Sequence, residues 1–213
     1  MMAASIEQRK QPVQARSVAR VERILDAAAG LIAEVGVEAA GTSGIAQRAK
    51  ISLASLYRYF PNKAAVVRAV AERQLTKLDR YLEDFLVRFD LEDGVDRLLD
   101  RYAEFYRTEP GYAEIWSGMQ VMPELAELDL SELRRNARRL ADRAASRYPG
   151  IDRNELEGAV TMLTRACGAV LHLGMTMSET QAAAMLSEVK FMARTYIRER
   201  LLSARYEGQG AQH

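Results

Sequence analysis

Cysteine occurs once in these 213 residues, at Cys167, so no disulfide can form within the chain. Histidine occurs twice, and one of the pair is His213. No metal-ligand spacing and no phosphate-cradling glycine loop accompanies them, so an enzyme, a bound metal and a cofactor are not expected. No apolar run approaches the roughly 18 residues that a membrane span requires. The stretch from Met1 to Gln14 is polar and has no secretion-signal core, which points to a cytoplasmic protein with no membrane partner. Sustained strand alternation is missing as well, and so is any internal repeat.

What is present is a hydrophobic content of 48%, enough to bury a core as one large domain or as a small and a medium one. The formal net charge of +1 conceals an asymmetry. Residues 1–63 hold 9 Lys or Arg against 5 Asp or Glu, whereas residues 64–213 hold 21 against 24. The basic excess at the front suggests contact with a polyanion there.

Apolar residues at Val21, Ile24, Leu25, Ala28, Leu31, Ile32 and Val35 follow the three-then-four spacing of one helical face, and Gly36 stops that helix. A second short helix is predicted over Thr42 to Ala49, with Gly41 or Thr42 as its N-cap. Ser52 caps a third, running to about Tyr59 and closed by Pro61. Asn62 caps a long fourth helix whose apolar stripe runs from Val67 to Phe89. Asp90-x-x-Asp93 opens a fifth, ended by Pro110-Gly111, and a short sixth contains Trp116. Asp129-x-x-Glu132 reads as a capping box for a seventh helix up to Tyr148. Asp152-x-x-Glu155 and Ser178-x-x-Gln181 start two more, over about residues 153–175 and 179–202. The fold class is all-α.

Between Gly41 and Lys63 two short helices surround a tight turn. Ile45, Ala46 and Ala49 of one would pack on Ile51 and Leu56 of the other, which sets the crossing angle of a helix-turn-helix and lets the second helix lie in a major groove. The small Ala46 keeps the two close.

Ile-Leu-Asp-Ala-Ala (24–28), Ile-Ala-Gln-Arg-Ala (45–49) and Leu-Tyr-Arg-Tyr-Phe-Pro-Asn-Lys (56–63) resemble the TetR family of repressors, over about Val21 to Val70. The resemblance implies a three-helix DNA-binding domain, a divergent helical domain for a small-molecule effector and for dimerisation, a homodimer through the last two long helices, and a palindromic double-stranded DNA operator. The domains expected are a disordered arm (1–16), the helix-turn-helix domain (17–63), the effector-binding and dimerisation domain (64–202) and a disordered tail (203–213). Carried over by position, Tyr57, Tyr59 and Lys63 correspond to phosphate contacts, as does the helix start at Thr42; the alternative for the tyrosines is core packing, although two residues apart on a helix they cannot both face inward. Leu53, Ala54 and Ser55 fall where bases are read, although Leu53 could equally be a buried staple. Ser43 is a further contact position, and Ser52 belongs to the same surface. Lys50 departs from the pattern, standing where the family has a turn glycine. A non-glycine in a left-handed turn costs roughly 1 kcal/mol, which a phosphate contact by Lys50 would offset. The reading helix offers no arginine, asparagine or glutamine at positions 53–55, so thymine methyls and DNA shape would supply much of its specificity. Arg16 or Arg20 could add a minor-groove or phosphate contact, or belong to a solvated arm.

For the effector, Tyr102, Phe105, Tyr112, Trp116, Met119, Met122, Cys167, His172 and Met175 are candidates for the lining, a set suited to a largely apolar molecule. Each could equally be core. His172 could orient a polar ligand group or be a histidine bonded in the core, and Cys167 could sense oxidants or be a buried structural thiol. The arginines at 134, 135, 138, 139, 143 and 147 read as a solvated face, with binding of an acidic ligand the alternative. The competing reading for the whole chain is a helical binding or scaffold protein that keeps the fold without sequence-specific DNA binding.

Overall fold

The computed structural model describes residues 10–91, 93–118, 122–148 and 152–202. Among them are nine α-helices and no strand: α1 (Lys10–Ala39), α2 (Thr42–Arg48), α3 (Leu53–Tyr57), α4 (Lys63–Arg88), α5 (Gly94–Thr108), α6 (Tyr112–Gly118), α7 (Pro123–Arg147), α8 (Arg153–Gly174) and α9 (Glu179–Ile197). One π-helical turn, Arg198–Leu202, follows. The expected all-α class is what is found.

Several ends form as their residues dictate. Gly36 adopts φ 80°, a left-handed conformation that breaks the helical run of α1. The Ser52 hydroxyl accepts from the Ser55 amide at 3.1 Å, and Asn62 accepts from the Ala65 amide at 2.8 Å. Asp152 accepts from the Asn154 and Glu155 amides, and Ser178 with Gln181 closes a reciprocal capping box.

Other boundaries differ from expectation. α1 begins at Lys10, so residues 10–16 of the expected arm are helical; residues 1–9 and the tail 203–213 lie outside the described residues. α7 begins with Pro123 at its first turn, where a missing N–H costs nothing. Asp129 therefore sits inside the helix and pairs with Arg165 of α8 instead of capping.

Two compact units divide the chain. The first comprises the chain up to Arg73 together with residues 110–121; the second comprises Gln74–Glu109 and the chain from Met122 onward. The division thus falls within α4, ten residues beyond the expected boundary, and assigns α6 to the N-terminal unit. There α6 packs on α1. Gly111, at φ 72°, makes this approach possible, since a Cβ at that position would stand 2.9 Å from the Ala29 carbonyl oxygen. The core of this unit is built on Ile24, Ala28, Ile32, Ile45, Leu56 and Val66, all essentially inaccessible to solvent. Arg73 bridges Glu22 and Asp26, fastening α4 to α1.

In the second unit α7 packs on α8, α8 on α9, and α5 on both α8 and α9. Arg194 and Lys190 of α9 pair with Asp96 and Asp100 of α5. The arginines of α7 are not simply a solvated face. Arg139 pairs with Asp79 and Glu83 of α4, and the Arg143 Nε donates to the Leu86 carbonyl at 2.9 Å, satisfying a carbonyl that the end of α4 leaves open.

Candidate nucleic-acid interface and cavity

α2 and α3 cross through Ile45, Ala46, Ala49 and Leu56, all buried. The turn between them contains Lys50 at φ 54°, so the residue standing in place of a glycine adopts the left-handed conformation itself, with its side chain exposed. The Lys50 and Ile51 amides donate to the Gln47 and Ala46 carbonyls, closing the turn.

On α3 the exposed positions are Leu53, Ala54, Tyr57 and, just past the helix, Arg58. Leu53 is 38% exposed and so is not a buried staple. Ser55, expected on the reading face, is buried instead, and its hydroxyl accepts from Arg58 at 3.2 Å. Ser52 spends its hydroxyl on the cap of α3. Thr42 and Tyr57 join their hydroxyls at 3.1 Å. Ser43 is exposed, and Tyr59 is half-buried. The Lys63 ammonium donates to the Glu38 carbonyl at 2.6 Å, tying the start of α4 to the end of α1. Arg48 is held by Glu34 through two hydrogen bonds of 2.7 Å, so its charge is matched within the fold. Arg58 carries no local signal in the sequence beyond being a cation one position past Tyr57.

The second unit holds a partly open cavity of about 170 Å³. Its wall is drawn from α4 (Leu82, Phe85), α5 (Leu99, Tyr102, Tyr106), α7 (Asn136, Leu140), α8 (Leu163, Thr164, Cys167) and Ile197 of α9, among others. Phe89, also on the wall, stands at φ 47° where α4 ends. A bulky side chain seldom adopts that conformation; here the Arg143 guanidinium lies 5.5 Å from its ring centroid.

Of the nine expected lining residues, Tyr102 and Cys167 reach the wall. Phe105 turns its ring edge to Tyr81 in the core. Tyr112 and Trp116 belong to α6 in the other unit, their rings 6.2 Å apart. Met122 is the N-cap of α7 and Met175 the C-cap of α8. His172 lies behind Tyr106, ring centroids 4.5 Å apart, and its Nδ1–H donates to the Gly168 carbonyl at 2.6 Å. Met119 lies outside the described residues. The wall residues contributed by α4 and by Tyr106 were missed because an apolar stripe reads as core whether or not a void adjoins it.

Burial pushes the Tyr102 phenol far above its ordinary value and the Cys167 thiol up to about 11. The same cause holds the His172 imidazole down at about 4. All three are uncharged at neutral pH.

Residues 24–70 match the model of the bacterial regulatory proteins of the tetR family, and residues 90–201 match that of a tetracyclin repressor-like C-terminal domain. A nucleoid occlusion factor SlmA of Haemophilus ducreyi is 31% identical over 113 residues, 52% of this chain and 56% of that one. The transcriptional repressor KstR of Rhodococcus jostii is 37% identical over 60 residues, 28% of each chain. The chain therefore spans about half the length, or less, of these curated relatives. A TetR-family regulator from Streptomyces coelicolor superposes with a TM-score of 0.65 at 27% identity, covering 85% of this chain and 99% of that one. With a helix-turn-helix in one unit, a partly open cavity in the other and both family models matched, the chain belongs to the TetR family of transcriptional regulators, having a DNA-binding and a ligand-binding domain.

Proposed function

We propose that the protein is a repressor that binds a palindromic operator as a homodimer and leaves it when a small, largely apolar effector enters the cavity. It acts in the cytoplasm, by binding and not by catalysis. The observation that carries this reading is the exposure of Leu53, Ala54, Tyr57 and Arg58 on a short helix whose other face is locked by Leu56 against Ile45 and Ala46. Such a helix presents apolar groups to thymine methyls and a phenol and a guanidinium to phosphate. Thr42, Ser43, Lys50, Tyr59 and Lys63 are the proposed flanking contacts, with Ser52 capping the helix and Ser55 supporting it from within.

Repression is supported by the Rhodococcus relative, a transcriptional repressor whose match is confined to 60 residues. Dimerisation through α8 and α9 is supported by apolar side chains that their own chain leaves exposed, among them Met162, Leu173, Phe191 and Met192. An effector in the cavity would touch Leu82, Phe85 and Phe89, at the far end of the helix that begins at Lys63. It needs only a higher affinity for the released state than for the bound one.

The test is a mobility shift with the DNA upstream of the protein's own gene, titrated with salt. Binding as one dimer per site with a steep salt slope is the expected result. A monomer that prefers no duplex in a random-pool selection would overturn the reading.

A further inference from the structure

We propose that the cavity takes a compact, uncharged ligand about as large as one aromatic ring and bearing a single hydrogen-bonding group. This deepens the regulator reading and rests on it.

Size is the first argument. The volume, about 170 Å³, is close to the roughly 150 Å³ of an apolar protein cavity that holds benzene. It is well below the roughly 300 Å³ at which sites for drug-sized molecules begin. A long acyl chain exceeds that volume. Charge is the second argument. Among the described residues, no Asp, Glu, Lys, Arg or His stands on the wall. The nearby cation Arg139 is already committed to Asp79 and Glu83. An ion would therefore be stripped of water with nothing to pair it. Polarity is the third. Tyr102, Asn136 and Thr164, on three different helices, offer a phenol, an amide and a hydroxyl within an otherwise apolar wall. Burial keeps the Tyr102 phenol protonated. Phe85, Phe89 and Tyr106 provide aromatic surface for a ring to pack on.

The experiment uses the full-length protein and a matched set of probes: toluene, benzyl alcohol, benzoate, benzylammonium and dodecanoate. Binding is followed by calorimetry and thermal unfolding, and a mobility shift on operator DNA is run alongside. Benzyl alcohol should bind one per chain, more tightly than toluene, while benzoate and benzylammonium bind about 100-fold more weakly or worse. Gly168→Leu should abolish binding of the neutral probes, because Gly168 lies on the wall and an added Cβ there meets no atom within 4 Å. Replacing a helical glycine also favours folding. Leu163→Trp is the second cavity-filling variant and should act alike. Charged probes that match benzyl alcohol, dodecanoate that surpasses it, neutral binding that survives both variants, or no binding of any probe would each overturn the proposal. DNA release by an anion alone would leave the regulator reading standing while refuting the ligand class. Neutral binding that never alters the DNA complex would uphold the site and refute its role as an effector site.

Discussion

The Thr42 hydroxyl stands 3.1 Å from the phenolic oxygen of Tyr57, joining the first residue of α2 to the last residue of α3 across the helix-turn-helix. Both side chains reach solvent, so the bond orients the phenol for a partner outside the protein more than it holds the fold. Tyr57→Phe keeps the ring and deletes the oxygen. Operator affinity should fall about 3- to 10-fold, the size of one net hydrogen bond, while the thermal midpoint stays put because the pair is exposed. Undiminished affinity in a mobility shift would remove Tyr57 from the interface.

Lys50 adopts φ 54° in the turn between the same two helices. Lys50→Gly relieves the left-handed strain, so denaturant unfolding should report a gain of about 1 kcal/mol. If the exposed ammonium also meets phosphate, the same variant binds DNA more weakly at low salt and the variant and wild-type curves converge as salt rises. A more stable variant that binds equally well or more tightly would assign Lys50 no part in recognition.

Lys63 is engaged with the Glu38 carbonyl at 2.6 Å in the free protein. A lysine has three donor hydrogens, so this bond positions the ammonium at the start of α4 without using it up. Lys63→Met should weaken every DNA sequence alike and lower the salt slope by about 1. An unchanged slope, with affinity lost only through lower stability, would make Lys63 a strut between α1 and α4 and nothing more.

Much of this architecture is legible in the residues, and the exceptions have a common cause. Asp152 and Ser178 cap their helices as their spacing to Glu155 and Gln181 indicates, because capping is settled within one turn of chain. Asp129-x-x-Glu132 has the same local form, yet Pro123 starts α7 earlier and Asp129 finds Arg165 on another helix. Tyr112 and Trp116 lie in sequence between two helices of the C-terminal unit, but Gly111 lets α6 settle on α1. The interface residues sit in one short continuous stretch and could be read; the cavity is assembled from five helices, and no local pattern marks a void. Phe85 and Phe89 look like core from the sequence and are core on every side but one.

His172 gives the stability a pH dependence whose sign follows from its burial. Burial holds the imidazole at about 4 in the folded chain, against the ordinary value of 6.5, despite its bond to the Gly168 carbonyl. The unfolded chain therefore binds a proton that the folded chain refuses between about pH 6.5 and pH 4. The contribution is fully present above pH 6.5 and is lost as the pH falls through that window, amounting to about 2 kcal/mol at its lower end after allowance for partial solvent contact. His172→Gln should flatten the decline of the unfolding midpoint between pH 6.5 and 4. A wild-type profile already flat there would show that the ring is protonated in the fold.

Phe191 is 63% exposed on α9, the most exposed aromatic ring of that helix, with Met192 beside it and Leu173 exposed on the neighbouring α8. Side chains of this kind are stable in water only singly or when a partner covers them. Phe191→Glu places a carboxylate at the proposed seam and, through the two-fold axis, a second one opposite it. Light scattering should then report a monomer where the native chain gives a dimer, and operator affinity should fall steeply because each half-site must be bound separately. Helicity and the unit's own core are untouched by the change, since the ring packs little within its own chain. A variant that remains dimeric at micromolar concentration would move the interface elsewhere and leave these side chains without a role in assembly.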